Sequence, residues 1–132
     1  MSHYTGWSLS ESDRTYLLRI IPPSYPDVIA EHVTCRFGVD DDMPLPTETG
    51  GIVVGHVDDG AGVQALVVEI GGTTQRPDGR TYHITWSLDR SAGRKPADSN
   101  EAILELGWET FPLQFPVGLH PAMFRTSQGL VV

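Results

Sequence analysis

A histidine and a threonine two residues apart can do acid–base chemistry on a phosphate when a strand presents them together. The sequence holds three such sets, His3-Tyr4-Thr5, His32-Val33-Thr34 and His83-Ile84-Thr85, where its five histidines would give fewer than one by chance. The second and third lie inside alternating polar and apolar runs, Glu31 to Gly38 and Tyr82 to Leu88. Alternation with period two marks a half-buried strand, and residues i and i+2 of a strand point to the same side. His32, Thr34 and Arg36 are therefore expected on one face, with Val33, Cys35 and Phe37 behind them. His83, Thr85 and Ser87 are expected on one face, with Ile84, Trp86 and Leu88 behind. An imidazole titrating near its ordinary pKa of about 6.5 can be neutral in one copy and charged in another, which supplies a base and an acid. Neutral hydroxyls can hold the charge that develops on phosphate oxygens. His3 is a reserve candidate, being near the N-terminus, where order is weaker.

Two strands bearing such pairs need a scaffold, and the sequence predicts one in order. Tyr4 to Leu9 reads as a strand. Ser10 is an N-cap with Glu11 and Asp13 in the first helical turn; the helix runs through Leu17 and Ile21 and ends at Pro22-Pro23. A loop at Ser24 to Asp27 leads into the first His-x-Thr strand, about 30–38. Asp40-Asp41-Asp42 through Gly51 is a solvated loop without the spaced oxygen ligands of a calcium site. Ile52 to Val57 and Val63 to Ile70 are β-prone runs joined by the turn Asp58 to Gly62. The turn Pro77-Asp78-Gly79 leads to the second His-x-Thr strand, about 81–88, completing a meander. Asp98 or Ser99 caps a short helix that Gly107 stops. Phe111 to Phe115 reads as a strand, Pro116 to Pro121 as a loop, and Met123 to Val132 as a final, weaker strand. The order is that of an α+β domain spanning 1–132, with helices laid on one side of antiparallel sheet.

Composition bounds the function. At 132 residues the chain can bury a real core, and its net charge of −8 argues against broad binding to long nucleic acid, duplex above all. Residues 76–95 nevertheless carry Arg76, Arg80, Arg90, Arg94 and Lys95 against two aspartates, bracketing the second motif. That local excess can hold a small phosphate ligand or be scattered surface charge. No apolar run reaches the roughly 18 residues of a membrane helix, and no basic-then-apolar leader is evident, so a cytoplasmic, monomeric protein without membrane association is expected. The single Cys35 excludes an internal disulfide and reads as a buried thiol. His56 and His120 have no metal-ligand spacing; no metal and no cofactor is expected. Tyr4 and Tyr25 can stack on a nucleobase, Tyr82 should point away from His83, and Trp7, Trp86 and Phe37 read as core. Arg36 can contact phosphate or end its strand in solvent.

The pair His32-Val33-Thr34 and His83-Ile84-Thr85 resembles the signature of the two-histidine (2H) phosphoesterases, which include RNA ligase-like 2′,3′-cyclic phosphodiesterases. Phe37-Gly38, Ser87-Leu88 and the segment Gly93 to Asn100 also look like this family, over roughly residues 4–106. The resemblance implies two pseudo-symmetric lobes of antiparallel sheet, with helices packed outside and a central cleft. It implies metal-independent hydrolysis of a cyclic phosphodiester, a 2′,3′-cyclic nucleotide or an RNA end, to a 2′-phosphate. His32 and His83 would be base and acid in an order the sequence leaves open, with Thr34 and Thr85 on the non-bridging oxygens. Tyr4, Arg36, Tyr25, Ser87, Arg94 and Lys95 are the candidate substrate contacts. A role in RNA processing, hydrolysis of a cyclic oligonucleotide messenger, and a nucleotide-binding module without catalysis all remain open, the last disfavoured because a binder needs no paired imidazoles.

Overall fold

A computed structural model describes residues 3–125. Its strands are β1 (His3–Leu9), β2 (Asp27–Val28), β3 (His32–Val39), β4 (Gly50–Asp58), β5 (Val63–Glu69), β6 (His83–Leu88) and β7 (Glu109–Arg125), and its helices are α1 (Glu11–Ile20) and α2 (Asp98–Leu106). The fold is α+β. All seven strands join one antiparallel sheet in the order β2-β6-β5-β4-β7-β1-β3.

Local chemistry explains most boundaries. Ser10 has extended backbone and caps α1, its hydroxyl accepting from the Asp13 N–H, while the Asp13 carboxylate accepts from Gly118 N–H at 2.7 Å and ties the helix start to β7. α2 is capped differently from expectation. Ala97 occupies the cap position without a side-chain bond. Asp98 instead accepts from the Lys95 N–H and from Arg94, and Ser99 is buried against β6. Gly107 stops the helix with φ +70°, a backbone that favours glycine.

The C-terminal part departs from the sequence expectation. Residues 116–121 are not a loop but the middle of β7, whose first half pairs with β4 and whose second half pairs with β1. Each stretch needs only one paired edge, so the N–H groups missing at Pro116 and Pro121 break no ladder. The expected strand at 111–115 is present as part of β7, and the β4–β7 register slips across it, from Gly55↔Thr110 to Val53↔Phe115. The part of the expected last strand beyond residue 125 lies outside the described residues.

One stretch of chain supplies both edges of the sheet. β2 pairs with β6, and Ile29 and Ala30 continue along it, donating to Trp86 O and Thr85 O. Then Glu31 O accepts from Leu9 N–H, and β3 pairs with β1. The sheet therefore curls until its edges meet at residues 29–31. The switch is strained: Ala30 is buried with φ +49°, a conformation costing an L-residue about 1–2 kcal/mol. Arg14 of α1 holds it, donating from Nε to Ala30 O at 2.9 Å and from Nη2 to Ile29 O.

Alternate residues along β5 enter two separate cores. Leu66 and Val68 join Trp7, Val33, Ile84 and Trp86 on one face, where Leu17 and Ile21 of α1 also pack. Val63, Ala65 and Val67 join Ala102 and Ile103 of α2 on the other. The helices thus cover opposite faces of the sheet, not one side as the order of elements suggested.

Candidate functional site

The site grows from the strand pair β3 and β6 where the two meet. Val33 and Cys35 on β3, and Tyr82, Ile84 and Trp86 on β6, all face the core shared with α1. Their alternates His32, Thr34, His83 and Thr85 therefore lie on the opposite face of the sheet. The ladder that pairs Val28 with Ser87 and bonds Ala30 to Thr85 runs straight toward His32 on one strand and His83 on the other. His83 also disfavours a charge on His32.

Both strands carry a one-residue bulge just after the motif threonine. On β3, Gly6 faces Thr34 and Thr5 faces Arg36, leaving Cys35 extra. On β6, Ala65 faces Thr85 and Gln64 faces Ser87, leaving Trp86 extra. A bulge inverts the alternation beyond it. Phe37, expected behind, thus joins the histidine side and stacks on Tyr4 with ring centres 6.4 Å apart. Arg36, expected beside His32, turns to the other side, lining a hollow with Thr5, Cys35 and Tyr82. Ser87 likewise leaves the face of His83. Its hydroxyl donates to Gln64 Oε1 at 2.6 Å and accepts from Tyr25 N–H.

Of the other candidates, Tyr4 is at the site. Its ring lies 5.4 Å from that of His32 and 4.9 Å from Phe124, and Phe124 lies 5.3 Å from His32. Tyr25 is elsewhere, donating to Asp58 at the β4–β5 turn. Arg94 is committed to Asp59 at 2.8 Å and to Asp98. Lys95 is exposed beside the α2 cap. His3, the reserve candidate, is buried at the far end of β1 opposite Val39 and Arg125. His120 sits in β7 opposite Ser8, which on its other side faces His32; it thus shares the face of His32 two strands away. His56 packs on Phe111. Among the described residues no three His, Cys, Asp or Glu side chains converge as metal ligands, and no helix is long and apolar enough to cross a membrane.

A cleft of about 420 Å³ opens beside His32, bordered by Tyr4, Ser8, Glu31 and Phe124 and by Glu11 and Arg14 of α1. His83 does not border it. It is 5% exposed, and its Nδ1 lies 2.9 Å from Thr81 O. A carbonyl can only accept, so Nδ1 carries the proton and Nε2 is the free lone pair. Burial lowers the pKa of His83 to about 4, opposed by the Thr81 bond and reinforced by the charge of Arg76. Burial likewise lowers His32 to about 4, reinforced by His83 and Arg76. Both rings are neutral near pH 7 in this state. Thr34 is 3% exposed and its hydroxyl has no partner. The Thr85 hydroxyl is shared with Ser99 Oγ at 2.9 Å and Pro96 O at 3.3 Å.

Arg76, which the sequence offered only as one of several basic residues, is the largest surprise. It is 1% exposed and gripped by Asp78 through Nε and Nη2, both at 2.9 Å. It stands on the hairpin closed by the Gln75–Thr81 bridge, whose Thr81 carbonyl holds His83, and its charge disfavours protonation of both His32 and His83. The turn signal Pro77-Asp78-Gly79 marked the loop that holds it, but nothing local distinguishes a buried arginine from a surface one. No protein-family model, curated protein or solved structure matches this chain.

Proposed function

We propose that this chain hydrolyses a cyclic phosphodiester of the 2′,3′ type, as a 2H phosphoesterase would, with each half of the sheet contributing one motif to a common face. The reading rests on one observation above others: two His-x-Thr sets on meeting strands, both turned to the same face and each ended by the same bulge. His83 is the base. Its Nδ1–H is committed to Thr81 O, so Nε2 takes a proton from water as the water oxygen bonds to phosphorus. The bond from phosphorus to the ribose 3′-oxygen breaks, and His32, protonated, gives that oxygen its proton. The product is a 2′-phosphate, and one proton passes back from His83 to His32 through solvent. His32 is neutral in the free protein, so the bound phosphate anion must raise its pKa to arm it. The free Thr34 hydroxyl donates to one non-bridging oxygen. Thr85 can donate to another when Ser99 is the donor in their shared bond and the Thr85 proton turns away from Pro96 O.

The border of the cleft favours a small substrate. Glu11 and Glu31 flank it, and Arg14 is occupied by backbone carbonyls, so a long polyanion is repelled. Tyr4, Phe37 and Phe124 offer rings on which a base can stack.

The test is turnover of 2′,3′-cyclic nucleotides with and without EDTA. Activity should resist EDTA and fall at least about 10²-fold in both His32→Ala and His83→Ala. Unchanged activity in either variant sinks the assignment, and tight nucleotide binding without product points to a binding module.

A further inference from the structure

We infer that Arg76 is a phosphate-binding residue outside both motifs, whose free Nη1 and the Thr34 hydroxyl together hold the anionic oxygens of the ligand. The inference rests on the proposed site and adds to it a charged contact that the motifs lack.

Four buried polar atoms of β1, β3 and the β5–β6 connection have no hydrogen-bond partner. They are Nη1 of Arg76, Oγ1 of Thr34 and, further along β1, Oγ1 of Thr5 and Nδ1 of His3. A buried N–H on a charged group is costly to leave unmet, because it has lost water without gaining an acceptor. The rest of the guanidinium explains why it stays there. Asp78 grips Nε and Nη2 in a bidentate pair, and the Asp78 carboxylate is itself fixed by the Arg80 N–H at 2.9 Å. The loop is closed by backbone bonds between Arg76 and Arg80 and between Gly79 and Arg76. Arg76 is thus a pre-set donor whose Nη1 group, with two N–H, is left over. It stands on the hairpin whose Thr81 carbonyl holds the ring of His83. Nothing protein-derived is positioned to accept from Nη1 among the described residues.

An anion suits that donor better than a neutral group does. Both imidazoles are without charge near neutral pH in the free protein, whereas the guanidinium of Arg76 is permanently charged. A phosphodiester oxygen would complete the N–H, and the same charge would steady the extra negative charge of the pentacoordinate state. Because the unpartnered Nη1 carries two N–H, the contact can take one or two anionic oxygens, with Thr34 and Thr85 left for the remainder.

The probe is inorganic phosphate at constant ionic strength, with chloride as the control. In the wild-type protein the Arg76 Nε–H, buried and bonded to Asp78, should give a protected NMR signal that shifts saturably with phosphate. Arg76→Lys, checked for fold by circular dichroism and melting, should bind phosphate about 10- to 100-fold more weakly, the loss of one charge-assisted bond. An Arg76 signal that stays fixed while phosphate moves the ring signals of His32 or His83 overturns the inference. So does a folded Arg76→Lys with unchanged affinity, or a wild-type protein that shows no phosphate response at all. If Arg76→Lys fails to fold, the wild-type titration decides alone. Turnover of a cyclic nucleotide with Arg76 unmoved would leave the hydrolase standing without this contact. A shifted Arg76 signal without turnover would leave an anion site and remove the hydrolase.

Discussion

Lowering the pH should weaken this fold through His83, and the size of the effect follows from its surroundings. His83 is nearly fully buried, and its pKa falls from 6.5 to about 4 in the folded protein, chiefly because the charged ring would lose its water. The sign is fixed by which state binds more protons. Between about pH 6.5 and about 4 the unfolded chain carries the proton on this ring and the folded one does not. The contribution is therefore intact above that window and is lost as pH falls through it. From pH 7 to pH 5 the loss is about 2 kcal/mol for this one group, against a total stability of about 5–15 kcal/mol for a typical domain. In urea that moves the midpoint by about 1 M. His83→Asn keeps a donor for Thr81 O but cannot titrate, so its midpoint should fall less between the two pH values by about that amount. His32 titrates in the same window in both proteins and cancels from the comparison, apart from the small influence of His83 upon it. NMR should place the His83 midpoint near 4. A midpoint near 6.5, or equal pH dependence in the wild type and His83→Asn, would refute the burial argument and with it a neutral His83 poised as base.

Gly6→Ala should cost about 3 kcal/mol or more in chemical denaturation, because the new methyl would sit 2.0 Å from Val33 O, a backbone atom that cannot step aside without parting β1 from β3; a loss below about 1 kcal/mol would contradict the bulge. Thr34→Val should leave stability unchanged or raise it by up to about 1 kcal/mol, since it removes an unpartnered buried hydroxyl, while lowering kcat about 10²-fold on a cyclic nucleotide. Arg36→Ala, whose side chain points away from the histidines, should keep activity within about twofold of wild type. With the free-enzyme imidazoles both near 4, kcat/KM should be greatest on the acid side of neutrality and fall about tenfold per pH unit above it, since one ring must be charged. The kcat profile should lie at higher pH, because bound phosphate favours the charged ring.

Much of the scaffold is legible in the sequence where one local rule decides. Ser10 with Asp13, the Pro22-Pro23 stop and the turn at Asp58 to Gly62 give α1 and the β4–β5 hairpin to within a residue or two. His32, Thr34, His83 and Thr85 are brought to a common face because period-two alternation holds over those three residues of each strand. It fails at Arg36 and Ser87, since a bulge depends on the neighbouring strand and leaves no mark on the bulged one. The reading of 116–121 as a loop fails for a related reason. Proline is excluded only from strands paired on both edges at that point, and β7 shifts from one neighbour to the other. Arg76 is not legible as a site residue, because its burial depends on tertiary packing that no stretch of sequence near it encodes.

The paired bulges explain why each strand gives the site one imidazole and one hydroxyl and nothing more. Without them Arg36 would stand beside His32 and Thr34, and Ser87 beside His83 and Thr85. A second cation next to His32 would lower its pKa further, which is the wrong direction for a group that must be charged to act as an acid. Ser87 would likewise lose its bond to Gln64, which also binds Ser24 N–H and Pro22 O and so fastens the end of α1 to β5. The extra residue in both cases is one that the α1-side core can use, Cys35 on β3 and Trp86 on β6. Trp86 then donates from Nε1 to Ile21 O at 2.8 Å, closing the C-terminus of α1. The irregularity that limits the site is thus stabilised by packing on the other face of the same strands. A core substitution such as Trp86→Leu should therefore disturb the placement of His83 and Thr85 as well as the stability of α1.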